Sequence, residues 1–336
     1  MKQRAGLLRV LVLMVVVFSA VYLCFALYVA RKALYPDWYR PQTSQEQAPS
    51  RQLTPCSGYQ KAAYIYCTNP SIDLNMPYQD VEGVRSVFGR NIAFSGWWIK
   101  ASGNTSASKS LVVLVHGGGA DRRAMLKHAS YLTKAGYDVL DIDCQNHGIA
   151  PNNARGISFG VWESESVLAA YDWARTQQYQ HIAAMGTSQG AVAVLLAASK
   201  QNKKDHFAAV IAENPYFSLM QLRWDLPWKS SVDGSTKKFV LAALSFWHGT
   251  DLFELDASVY APRIGSPVFL IHGSDDRVVD SEHSQALLAL LPGPKDFWLV
   301  PYGDHELLWN KFRDQYEKRV LEFLNQYISN EISSGS

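Results

Sequence analysis

Gly186-Thr187-Ser188-Gln189-Gly190 lies between a short apolar run, Ile182–Met185, and a helical stretch of small residues, Gln189–Lys200. A serine held between glycines where a strand turns into a helix sits on a tight, strained bend, and a Cβ at either flanking position would clash there. The bend lifts the hydroxyl above the strand ends, and the helix N-terminus beneath it favours developing negative charge. The pattern alone is short; its place between strand and helix gives it weight against the plainer reading, a serine that only caps a helix. Ser188 is the candidate nucleophile.

A serine hydroxyl attacks poorly unless a base takes its proton. In proteins built on such a bend, the chain order is serine, then an acid, then histidine. Of nine histidines, His305 in Val300-Pro-Tyr-Gly-Asp-His305 follows an apolar strand with both other groups behind it. The acid is expected in Ile271-His-Gly-Ser-Asp275-Asp276-Arg-Val-Val279, at the end of another strand. Position along the loop favours Asp276, while Asp275 is also a carboxylate there and suits a turn. His116-Gly117-Gly118-Gly119 follows the run Leu111–Val115. Glycines let backbone N–H groups approach an oxyanion, so Gly118 N–H and Gln189 N–H are the expected donors. A phosphate-gripping loop would need a Gly-Lys-Ser/Thr ending that is missing here.

Outward from these motifs, apolar strands and helices alternate. Expected strands are Tyr137–Ile142, Phe207–Ala212, Val268–Ile271 and Phe297–Val300, besides those already named. Expected helices are Asp121–Ala135, Val161–Thr176, Ser281–Leu291 and Leu307–Tyr327. Continuous apolar strands between helices predict a parallel sheet covered on both faces. Val84–Phe88 and Ile92–Lys100, joined by Gly89-Arg90-Asn91, read as an antiparallel hairpin before it. Between Glu213 and Pro267 the chain is longer than one crossover needs and carries Tyr216, Phe217, Trp224, Trp228, Phe239, Phe246 and Trp247. This aromatic-rich insertion, about residues 214–262, is either a cap over the site or a packing appendage.

His116-Gly-Gly-Gly, Asp143-Cys-Gln-Asn-His147-Gly148, Gly186-Thr-Ser188-Gln-Gly190, His272-Gly-Ser-Asp-Asp276 and His305 together resemble the α/β-hydrolase superfamily. The likeness is strongest to serine-aminopeptidase-like and esterase members and covers about residues 83–328. It implies an eight-stranded, mostly parallel sheet, a triad of Ser188, Asp276 and His305, and neither cofactor nor metal. It also implies that His147 is a scaffold residue, although Gln145-Asn146 stands where the family has Arg-Gly. The activity so implied is hydrolysis of acyl esters or thioesters through an acyl-enzyme, on a small-molecule or lipid-like acyl substrate. Amide or peptide hydrolysis is the second expectation and a non-catalytic membrane scaffold the third.

The N-terminal part reads differently. From Leu7 to Ala30 the chain is apolar except at Arg9. The residues after Arg9, at about 1.5 Å each, suffice to span a hydrocarbon core of roughly 30 Å. The run closes on Tyr28-Val-Ala-Arg31-Lys32, an interfacial ending that suits an uncleaved signal anchor over residues 1–32. Basic residues flank it on both sides, and the balance places the N-terminus in the cytoplasm by a narrow margin. Residues 33–82, rich in Pro, Gln, Ser and Tyr, read as a linker and irregular extension. Within them Cys56 and Cys67 suit a disulfide and hence an oxidising, extracytoplasmic compartment, or else are two unrelated thiols. Asn104-Thr105-Ser106 fits a glycosylation acceptor. At 48% hydrophobic and 18% charged residues the chain is of globular type. Five of its 32 basic residues fall in the first 32 positions, where no acid occurs, so the remainder is mildly acidic. That balance gives no reason to expect nucleic acid as a partner.

Overall fold

The computed structural model describes residues 2–35, 65–101, 110–202, 204–222, 224 and 232–334. Helix α1 spans Lys2–Leu34 and α2 Pro70–Leu74, followed by strands β1 Tyr78–Val87, β2 Arg90–Ile99 and β3 Ser110–Val115. Next come α3 Leu126–Lys134, β4 Asp138–Cys144, α4 Val161–Thr176, β5 His181–Thr187, α5 Gln189–Lys200 and β6 Ala209–Glu213. The insertion holds α6 Gly234–His248 and α7 Ala257–Tyr260; β7 Val268–Gly273, α8 Glu282–Leu290, β8 Lys295–Val300 and α9 Leu308–Ser334 complete the chain.

The eight strands form one sheet in the order β1-β2-β4-β3-β5-β6-β7-β8. β1 and β2 run antiparallel to their neighbours, and the other six strands are parallel. Every residue of β3, β4, β6 and β7 is buried, as expected of strands covered on both faces. One apolar layer packs α4, α5 and α8 against the sheet together with the insertion; the other packs α3 and α9 on the opposite face. The carboxyl ends are in register: Val115 pairs with Gly186, Thr187 with Glu213, and Glu213 with Ile271. The loops leaving β3, β5, β6, β7 and β8 therefore meet over a single edge of the sheet. This is the α/β-hydrolase fold, with helices on both faces and a helical insertion after β6.

Several boundaries differ from the sequence reading. β1 begins at Tyr78, five residues before the expected domain start at Gly83, and α2 lies inside the expected linker. Edge strand β1 is only partly buried and its first residues, Tyr78-Gln-Asp, are mostly polar, so no apolar alternation announced it; their pairing with Trp97, Trp98 and Ile99 of β2 makes them a strand. The expected helix at Asp121–Ala135 is a short 3₁₀ turn, Arg122–Ala124, followed by α3. Asp121 caps that turn by accepting from Arg123 N–H. α1 runs two residues past the expected anchor, and α9 runs to Ser334 with a kink at Phe312. Cys67 is disulfide-bonded and Cys144 is a buried free thiol; Cys56, Asn104 and Trp228 lie outside the described residues.

Candidate active site

Ser188 adopts φ 52° and ψ −118°, a conformation costly to any residue with a Cβ. The surroundings enforce it. A Cβ on Gly186 would run into the backbone of Gly190 and Ala191, and one on Gly190 into the carbonyls of Val115 and His116. Ser188 N–H donates to Glu213 O at 2.8 Å, tying the bend to the end of β6. The strand-to-helix turn is thus held by its neighbours, and the hydroxyl is left to face the loops above.

His305 Nε2 lies 3.0 Å from Ser188 Oγ, and His305 Nδ1 lies 2.6 Å from Asp276 Oδ2. Asp276 is buried and heavily supported. Its Oδ1 accepts from Val278 and Val279 N–H at 2.8 and 2.9 Å, and its Oδ2 also accepts from Asn214 Nδ2 at 2.6 Å. Burial would raise its pKa, but hydrogen bonds from His272, His305 and Val279 outweigh that and hold it well below the usual carboxylate range. Asp275 is exposed and accepts from Ser274 Oγ. Of the two carboxylates left open by the sequence, Asp276 is the one beside the imidazole.

Burial works against a charged His305, yet the Asp276 hydrogen bond and the nearby Glu306 and Glu213 charges leave its pKa raised above the ordinary 6.5. An anionic Asp276 on Nδ1 fixes the tautomer in which Nε2 is free to accept the serine proton.

The loop after β3 closes the other side. His116 is buried; burial lowers its pKa, so it stays neutral. Its Nε2 accepts from Cys144 N–H at 3.2 Å, so Nδ1 carries the proton and donates to Gly117 O at 2.8 Å. This bond fixes the Gly117 carbonyl and with it the path of the chain into Gly118. A Cβ built on Gly117 would stand 3.5 Å from Ser188 Cβ. Gly118 thus follows a glycine that abuts Ser188, and Gln189 opens α5 immediately after it.

Asp143–Gly148 is scaffold. Asp143 accepts from Arg122 N–H at 2.7 Å and Ile149 N–H at 3.0 Å, and a Cβ on Gly148 would strike its carboxylate. His147 is buried beneath, its ring 4.9 Å from that of His116. Gln145 and Asn146, the departures from the Arg-Gly pattern, serve structure too. Gln145 Oε1 accepts from Ala93 N–H of β2, and Asn146 Nδ2 donates to Gly156 O.

Three site residues escaped the sequence reading. Asn214, at φ 52°, follows β6 and donates to Asp276. Glu306, also at positive φ, turns its carboxylate onto Gly117. Lys127 of α3 is buried and donates to Glu306 O at 3.1 Å. No motif marks them; the positions just after Glu213 and His305 were the only available signal, because residues after a strand's carboxyl end face this edge.

A serine on a strained strand-to-helix bend, with an imidazole and a buried carboxylate in line, over the carboxyl edge of this sheet defines a serine-type hydrolase of the α/β-hydrolase fold. The profile of the prolyl oligopeptidase family matches residues 118–331, more than half of the chain, and the protein belongs to that family. It is 23% identical over 221 residues to the uncharacterized protein YqkD of Bacillus subtilis (strain 168), a match covering 64% of this chain and 70% of that one. It is 23% identical over 236 residues to the uncharacterized protein YfhR of Escherichia coli O157:H7, covering 68% and 75%. Among solved structures it is similar to the esterase Pf2001 of Pyrococcus furiosus, with a TM-score of 0.60, 23% identity, and 79% of this chain and 98% of that one covered. It is also similar to Est1E of Butyrivibrio proteoclasticus bound to ferulic acid, with a TM-score of 0.55, 18% identity, and 73% and 99% covered. At such identities these structures bear on the fold.

Proposed function

We propose that this protein is a carboxylesterase-type hydrolase that cleaves acyl esters or thioesters through an acyl-enzyme on Ser188. The observation that carries the reading is the line Ser188 Oγ–His305–Asp276, closed at 3.0 and 2.6 Å on a bend that exposes the serine. In this reading Ser188 Oγ attacks the acyl carbonyl as His305 Nε2 takes its proton, and Asp276 steadies the imidazolium. Gly118 and Gln189 N–H groups stabilise the oxyanion; losing one such donor costs about 10²–10³ in turnover. His305 then protonates the leaving alcohol or thiol, and water activated by the same imidazole releases the acid. None of these steps calls for a cofactor or a metal.

α1 supplies the location. In this reading it spans the membrane, and the hydrolase domain sits on the extracytoplasmic side, which agrees with a disulfide at Cys67. The substrate class would be small or lipid-like acyl compounds.

Amide or peptide hydrolysis is the second reading. Membership in the prolyl oligopeptidase family favours it, and so does the Glu306 carboxylate against Gly117, an anion placed to meet a substrate ammonium. The test is a fluorophosphonate probe on the intact chain, followed by rates on aryl esters of rising acyl length and on matched amides and aminoacyl-proline anilides. Labelling of Ser188 with ester turnover far above amide turnover supports the first reading. Faster cleavage of the amides replaces it with the second, and no labelling at Ser188 overturns both.

A further inference from the structure

α1 is not a free tether. From Tyr22 onward one stripe of it is docked on the hydrolase: Ala26, Val29, Ala30 and Leu34 are buried in the same apolar cluster as Val240, Leu241 and Leu244 of α6. Tyr22 Oη lies 3.3 Å from Thr236 Oγ1, and its ring meets Phe239 edge-on at 6.0 Å between centroids. At the far end Leu34 O accepts from Ile157 N–H at 3.3 Å, and Gly156 packs so closely on Leu34 that a Cβ would reach its carbonyl at 2.6 Å. The spacing 22, 26, 29/30, 34 is a single helical face, so the helix meets the hydrolase side-on.

The length of α1 then decides where α6 must be. Between Arg9 and the first docked residue, Tyr22, only Val10–Val21 stand clear and uncharged. At about 1.5 Å per residue they cover roughly 18 Å, whereas the hydrocarbon core is roughly 30 Å thick. The missing thickness has to come from the docked part of the helix. Whatever packs beside Tyr22 and Ala26 is brought to the same depth.

α6 carries the surface that this depth requires. Its side away from the core is Phe239, Ala242, Phe246 and Trp247, all exposed, with Phe246 90% and Trp247 49% accessible. Beside its C-terminal end is the β1–β2 hairpin: Arg90 donates to His248 O, and Phe88 at the tip is 95% exposed. Arg31, at the end of the span, is exposed, as a lipid headgroup layer favours, and Lys238, next to Phe239, is exposed on a side chain long enough to reach toward that layer. Large exposed aromatics gathered on one face mark an interaction surface, and here the apolar α1 continues that face.

We propose that the outer face of α6 lies in the bilayer beside α1, so that the hydrolase rests on the membrane through its helical insertion instead of standing off on a linker. The inference builds on α1 as a membrane span and adds what that span does to the hydrolase. The lipid-facing residues are Phe239, Ala242, Phe246 and Trp247.

The test uses the full chain in vesicles of phosphatidylcholine and phosphatidylglycerol, with Cys24→Ala to remove the exposed thiol. A nitroxide is attached at Phe246→Cys, or at Ala242→Cys if that variant does not fold. Reference labels sit at Val15→Cys on α1 and at Lys318→Cys on exposed α9. Collisions with dissolved oxygen and with a water-soluble nickel chelate report depth. Because Trp247 is hydrogen-bonded to Arg155 beside the end of α1 at Leu34, the label on α6 is expected to lie shallower than Val15, yet with nickel collisions several-fold fewer than at Lys318. A lipid-like Val15 with a Lys318-like α6 label overturns the proposal and leaves the span intact. A water-exposed Val15 overturns the span, and the proposal with it.

Discussion

The Glu306 carboxylate occupies the place where a side chain on Gly117 would stand. Two loops meet in that contact, one leaving β3 and the other β8, with Ser188 beside them both. Glu306 directly follows His305, its main-chain carbonyl is held by Lys127, and its charge is among those that raise the His305 pKa. A carboxylate that close to the imidazole stabilises the imidazolium and sets the pH at which the base becomes available.

The pH profile follows with a definite sign. Only neutral His305 can take the Ser188 proton, so kcat/KM for an ester should fall as pH drops through the His305 pKa, which lies above 6.5. Glu306→Gln removes one anion and should move that acid limb to lower pH. A limb unmoved in Glu306→Gln would show that the charge does not act on His305.

Ser188→Ala should lower kcat by on the order of 10⁴-fold or more and abolish fluorophosphonate labelling. Its melting temperature should be near that of the parent, because the hydroxyl contacts His305 and fills no core space. Turnover close to the parent would move the nucleophile elsewhere.

Asp276→Asn should cost about 10⁴-fold in kcat, since an amide can donate to Nδ1 and favour the wrong imidazole tautomer. Asp275→Asn, on an exposed turn, should change kcat by only a small factor. Steady-state rates on one aryl ester decide the ranking.

Gly190→Ala should destabilise more than Gly117→Ala. At Gly190 the new methyl meets the main-chain carbonyls of Val115 and His116, which cannot turn aside. At Gly117 it meets the end of the Glu306 side chain, which can. Overpacking against backbone costs about 1–3 kcal/mol or more, so thermal unfolding should separate the two variants, with Gly117→Ala showing its effect mainly on activity.

Removing residues 1–32 takes away Ala26, Val29 and Ala30 and bares the apolar side of α6. The loss of burial should cost about 2–4 kcal/mol. A chain beginning at Tyr22 keeps the docked stripe and should unfold at a higher temperature than one beginning at Ala33. Equal melting temperatures would show that the docking adds nothing to stability.

Much of this was present in local sequence. Gly186–Gly190 between an apolar run and a small-residue helix specified the bend, because only glycine fits beside the backbone of Gly190, Val115 and His116. The unbroken apolar runs at β3, β5, β6 and β7 specified a sheet covered on both faces, since burial on two sides erases polar alternation. Other features depended on residues far apart in the chain. β1 is a strand because β2 pairs with it, and Asp276 rather than Asp275 faces His305 because Val278, Val279, Asn214 and His272 converge on one carboxylate. Glu306 and Gly117 are separated by most of the domain and meet only when β3 and β8 close one sheet. Of the insertion's aromatics, Tyr216 and Phe217 are buried and Trp224 packs on the core, while Phe239, Phe246 and Trp247 face outward. Composition could not divide them, because the hydrophobicity of a side chain is a local property and the side of a helix it occupies is settled by what packs on the other.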